Sequence, residues 1–150
     1  MIKVLIAALF AVVLSCLSLS PVARAAAAQT VAITLQDVSV DPSIAGMVIK
    51  VDPAKVKAGR VTLDAVNQSK SLVHEVLVIP IPPEGKELPY DTKKDTIVEK
   101  RVHSLGEISE LKPGARGKLT LSLKPGTYLL LCNQPGHYKS GMSTRLVVEK

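Results

Sequence analysis

A two-sheet, all-β sandwich is the fold class this 150-residue chain predicts, and three features predict it. Apolar residues recur at every second position in several short runs, the period of a strand with one buried face. Pro-Gly pairs at 113–114 and 125–126 mark tight turns, with proline fixing the first central position and glycine free to take positive φ. Two further runs are apolar almost throughout, as strands covered on both faces are. No internal repeat or long low-complexity stretch interrupts the pattern.

The first segment is read as a leader, not as part of the sandwich. Lys3 gives a positive start, and residues 4–19 are apolar apart from Ser15, Cys16 and Ser18. Pro21 breaks the run and Ala23-Arg24-Ala25 offers a small-residue cleavage site. This is the pattern of a secretory signal peptide, and it is short for a membrane span. Residues 1–25 are therefore expected to be removed, leaving residues 26–150 as the domain, with a cut after Ala28 as second choice. No twin-arginine pair precedes the apolar run, so the general secretion route and a periplasmic destination are expected. Val13-Leu14-Ser15-Cys16 also resembles a lipoprotein box, which would anchor the protein through a lipidated Cys16. Apolar sequence and the alanine-rich site continue past it, which favours Cys16 as a small residue within the leader.

Loss of the leader changes two counts. It takes Lys3 and Arg24 from the nineteen basic residues, leaving seventeen against thirteen acidic ones and a net charge of +4. With no dense basic run and few aromatics, nucleic acid is a poor partner class. It also leaves Cys132 as the sole cysteine. An unpaired thiol is unusual in an oxidising compartment, and a metal-bound thiolate resolves the difficulty.

The elements follow in order. Val31, Ile33 and Leu35 alternate with Ala32, Thr34 and Gln36 as a first strand. Met47, after Gly46, reads as packing at a turn or strand start. Val61, Leu63 and Ala65 alternate with Thr62 and Asp64. Residues 72–79 are apolar except for His74 and Glu75, so this strand needs a cover on its outer face. The cover is expected from an irregular excursion at about 80–111, which holds Pro80, Pro82, Pro83 and Pro89, a charged stretch, and residues 96–102 as an edge strand. His103 within it is read as an exposed histidine. Leu119, Leu121 and Leu123 alternate with Lys118, Thr120 and Ser122. Residues 128–131 run straight into Cys132, and residues 143–149 form the last strand.

The chemistry concentrates between those last two strands. Cys132-Asn133-Gln134-Pro135-Gly136-His137 continues to Gly141-Met142, placing a thiolate, an imidazole and a thioether on one short loop. Pro135-Gly136 turns the chain between Cys132 and His137. His74 shares a strand face with Val76 and Val78, so it is expected to point into the core. Each of these residues alone reads as packing. Together they are the donor set of a blue-copper centre: two histidines and a cysteine in a plane, with a distant methionine on the axis.

In these residues the chain resembles the cupredoxins, the type 1 blue-copper proteins, over about residues 31–150. Both ligand-loop spacings are most similar to those of the rusticyanin branch, and the segment ending Val73-His74-Glu75-Val76 is similar to bacterial periplasmic members. The resemblance implies a Greek-key β-sandwich and one copper held by His74, Cys132, His137 and Met142. It further implies electron exchange through the edge of His137, amid an apolar patch with Pro135, Gly136 and Met142. Many cupredoxins carry Asn after the first histidine, where it ties the two ligand loops. Glu75 stands there instead, and it is read as an outward-facing charge beneath the excursion in preference to a tuning residue.

Two functions use such a site. The first is one-electron transfer between periplasmic redox partners, such as a cytochrome, an oxidase or a reductase. The second is copper handling with a sequestration, delivery or tolerance partner. Three Met and three His are few for a metal store, which favours the first. An enzyme is disfavoured, because oxidases and nitrite reductases need further His ligands, and a binuclear site needs a second loop cysteine. The small size fits a monomer.

Overall fold

A computed structural model describes residues 28–41 and 44–150. The expected leader, its cleavage site and Cys16 lie outside the described residues.

Two sheets form the described fold. One has the order β2-β1-β4-β9, built from β1 (Gln29–Asp41), β2 (Ile44–Asp52), β4 (Gly59–Asn67) and β9 (Arg116–Leu123). The other has the order β3-β11-β10-β5-β8, from β3 (Lys55–Lys57), β5 (His74–Pro80), β8 (Gly106–Leu111), β10 (Gly126–Leu131) and β11 (Ser143–Glu149). β1 pairs with β4 in parallel, and β3 with β11 in parallel. The chain crosses between sheets from β2 to β3, β3 to β4, β4 to β5, β8 to β9 and β9 to β10, in a Greek-key sandwich.

Alternation explains the core. Val31, Ile33, Leu35, Val61, Leu63 and Ala65 point inward from the first sheet at 0–1% exposure, and meet Val76, Val78, Leu130, Leu146 and Val148 from the second. Such burial, worth about 1.5–3 kcal/mol for each large apolar side chain, is what fixes strand register. The crossings have local causes. Ala115 N–H donates to Lys112 O at 2.9 Å, closing the Pro113-Gly114 turn, and Gly114 takes φ 78°. Tyr128 Oη donates to Lys124 O at 2.8 Å across the bend at Pro125. Gly117 lets β9 pass beside β8, since a Cβ there would collide with Ile108.

The excursion does cover the outer face of β5. β6 (Tyr90–Asp91) and β7 (Thr96–Ile97) form a small hairpin, followed by one 3-10 turn at Glu99–Arg101. Ile97 packs on Leu77, Ile79 and Leu131, with Leu88, Tyr90, Val102 and Tyr138 around them. This second core accounts for the lost alternation in β5, whose first six residues are all buried. The edge strand is not residues 96–102, as the sequence suggested. It is β8, pairing antiparallel with β5, so the irregular part ends before Gly106. Ladder pairing between distant strands, not local propensity, decided this. His103 is exposed, as expected. Met47 lies on β2 and packs against the main core.

Candidate metal centre

Three of the expected ligands meet at one end of the sandwich. His74 opens β5 on the inward face, with 0% exposure. Cys132 follows directly on β10, continuing the inward face of Leu130, also at 0%. His137 comes from the loop between β10 and β11 and keeps 8% exposure. The loop is held by its own backbone. His137 N–H donates to Gln134 O, Met142 N–H to His137 O and Cys132 N–H to Met142 O, at 3.0, 3.0 and 3.1 Å. Met142 therefore sits directly across from Cys132, at 0% exposure within the same core cluster.

Both imidazoles offer Nδ1 to the same point. The two Nδ1 atoms are 3.2 Å apart, and Cys132 Sγ lies 3.3 Å from that of His137 and 3.9 Å from that of His74. The circle through the three atoms has a radius of about 2.0 Å, against ordinary metal–nitrogen and metal–sulfur lengths of about 2.0–2.3 Å. The geometry and the donor chemistry thus fit a thiophilic, imidazole-binding cation.

The surrounding bonds set the donors' states. Burial pushes the Cys132 thiol up to about 11, against opposing hydrogen bonds from the N–H groups of Gln134 and Glu75. The Glu75 N–H lies 3.4 Å from Sγ. Without a cation the sulfur keeps its proton at neutral pH, and a bound metal must displace it. Burial, and then the neighbouring His74, hold the His137 imidazole below its usual range.

Two residues beside the ligands do more than the sequence suggested. Glu75 does lie beneath the excursion, but it is buried and faces the ligand loop. Its carboxylate accepts from Asn133 N–H at 3.0 Å and from Gln134 Nε2 at 2.9 Å. It ties the two ligand segments with reversed polarity, accepting where an asparagine side chain could donate. Burial raises its carboxyl above the usual range, although the Gln134 and Asn133 bonds act to lower it. The excursion clamps the same loop. Asn133 Oδ1 accepts from Ile97 N–H at 2.6 Å, Asn133 Nδ2 donates to Ile97 O at 3.1 Å, and Gly136 N–H donates to Asp95 O at 2.8 Å.

Asp37 was missed altogether. On β1, its Oδ1 lies 2.9 Å from His74 Nε2, and its Oδ2 accepts from Ser69 Oγ. Ser69 is placed in turn by Asn67, whose Oδ1 accepts from Ser69 N–H at 2.9 Å. A signal was present: Asp37 continues the alternation of Val31, Ile33 and Leu35, which puts a carboxylate in phase with the inward face.

Comparison with known proteins agrees with this architecture. No family model and no curated sequence matches the chain. Among solved structures, dithionite-reduced auracyanin from the photosynthetic bacterium Roseiflexus castenholzii is similar, at 18% identity and a TM-score of 0.56. The match covers 83% of this chain and 99% of that one. Auracyanin B matches at 23% identity and TM-score 0.56, over 82% and 90% of the two chains. Rusticyanin from Thiobacillus ferrooxidans matches at 19% and 0.53, over 82% and 79%. The chain has the cupredoxin fold, with a histidine–cysteine–histidine cluster consistent with a blue-copper site.

Proposed function

We propose that the protein binds one copper ion through His74 Nδ1, His137 Nδ1 and Cys132 Sγ, with Met142 as a weaker fourth donor, and carries single electrons between redox partners. The observation that carries this reading is the buried donor triad, whose ligand atoms all lie within 4.8 Å of one another. The fold shared with auracyanin and rusticyanin supports it, and rusticyanin is described as a copper protein.

Bound copper would supply the one-electron chemistry, as the Cu(I)/Cu(II) couple. The chain's part is to keep the donors dry and still. His74, Cys132 and Met142 are sealed at 0% exposure. The donors are anchored at the ends of two paired strands and by a loop clamped at both ends, so they have little room to rearrange. With four protein donors no position is left for a substrate, which suits a carrier better than an enzyme. His137 is the one donor with an edge toward solvent, beside exposed Pro135 and half-buried Gly136, and electrons enter or leave there. Met142, which the family resemblance also placed near that edge, is fully buried and takes no part in the surface. The partner is another redox protein of the compartment to which the leader directs the chain, the periplasm. Copper storage has less support: among the described residues one such donor cluster is present.

Titration of the purified protein with Cu(II), followed by visible absorption and electron paramagnetic resonance, tests the proposal. An intense thiolate-to-copper band with narrow hyperfine splitting at one equivalent, absent in Cys132→Ala, is the expected result. Weak absorption with wide splitting, unchanged in the variant, would overturn it.

A further inference from the structure

The Asp37–His74 pair has a chemistry the donor set does not need for binding alone. His74 is fully buried, and its outer nitrogen meets a carboxylate rather than a neutral group. The Asp37 side chain is 33% exposed, and one of its oxygens faces the ring at 2.9 Å. Ser69 Oγ donates to the other oxygen and is itself fixed by accepting from Leu72 N–H at 2.8 Å and Ser71 N–H at 3.2 Å. The carboxylate is therefore held in place from the β4–β5 connection, independently of the histidine.

We propose that Asp37 is a positioning residue that locks His74 in the Nε2–H tautomer and biases the centre toward the oxidised, more positive metal. This deepens the copper reading above and rests on it. An Nε2–H donated to Asp37 leaves the Nδ1 lone pair facing Cys132 and His137. A carboxylate on the outer nitrogen makes an imidazole a stronger donor and fixes its ring. Its negative charge acts across one ring, close enough that partial exposure weakens but does not cancel its preference for Cu(II) over Cu(I).

Two substitutions separate the two parts of the proposal. Asp37→Asn keeps an acceptor for Nε2–H and removes the charge, whereas Asp37→Ala removes both. Long-range nitrogen–proton correlation in the copper-free protein is expected to show one His74 tautomer, Nε2–H, in the parent and in Asp37→Asn, and a mixture in Asp37→Ala. This readout needs no metal. In the loaded protein, Asp37→Asn is expected to lose about 10–100-fold in Cu(II) affinity and less in Cu(I) affinity. The midpoint potential then rises by about 59 mV for each tenfold difference between the two. A single Nε2–H tautomer in Asp37→Ala would overturn the positioning role, and an unmoved or lowered potential in Asp37→Asn would overturn the bias. Thermal unfolding of each variant shows whether it retains the fold. Failure of the parent to bind copper at all would overturn the copper reading and the bias with it, leaving the tautomer result to decide the positioning role alone.

Discussion

His74 and His137 present the same atom, Nδ1, to the same point, yet they are held in opposite ways. His74 starts a strand of the sandwich, is sealed from solvent, and has its second nitrogen bound by a carboxylate from the other sheet. His137 rides a loop, keeps 8% exposure, and is located by backbone bonds and by the excursion's grip on Asn133 and Gly136. The proposed copper site would use both kinds of ligand. One fixes the site to the fold, and the other connects it to the outside.

The largest test of this contrast is truncation of each histidine. His74→Ala opens a cavity in the main core, so a loss of about 2–4 kcal/mol is expected from denaturant unfolding of the copper-free protein. His137→Ala removes a loop side chain at the rim and is expected to cost less than half as much. Equal losses would erase the distinction. His137→Gly is next, because its vacancy opens to solvent. Added imidazole is expected to restore the intense copper band in His137→Gly but not in His74→Gly, as read by visible absorption.

A smaller effect probes what holds the exposed ligand's loop. Glu75→Ala leaves the buried Asn133 N–H without its acceptor, an expected cost of about 1–3 kcal/mol. Glu75→Gln keeps an acceptor and is expected to cost less. Equal stability of parent and Glu75→Ala would show that the loop's own backbone bonds and the excursion hold it without Glu75.

The smallest effect is in the pH dependence of the copper-free fold. The Cys132 thiol is raised from 9.0 to about 11 by burial, so the folded chain holds that proton more tightly than the unfolded one. The resulting stability is complete below about pH 9 and is lost as pH rises toward 11. Unfolding midpoints across that window are expected to decline in the copper-free parent. The decline is expected to be shallower in Cys132→Ala, and also with copper bound, where the sulfur has no proton to lose.

Much of this arrangement was legible in the sequence. The alternation of residues 31–35, 61–65 and 119–123 marked three strands because each packs one face on a single core. The spacing from Cys132 through His137 to Met142 marked the ligand loop because the donors are local in sequence. What escaped depended on contacts between distant segments. β8 became the edge strand through pairing with β5, and nothing within residues 106–111 announces that partner. Asp37 reaches His74 across the two sheets, and Glu75 looked like a surface charge because its partners lie 58 and 59 residues away. A polar residue in phase with an apolar face, as Asp37 is, was the one local trace of the supporting bonds.

The central claim is that this fold holds the three donors ready around a single cation. The most direct measurement is a crystal structure of the copper-loaded protein, with the metal located by anomalous scattering at the copper edge. The account predicts one copper, bonded to Cys132 Sγ and to both Nδ1 atoms, with the donor triangle close to 3.2, 3.3 and 3.9 Å. Copper located elsewhere, or bound with His74 turned away from Asp37, would contradict it.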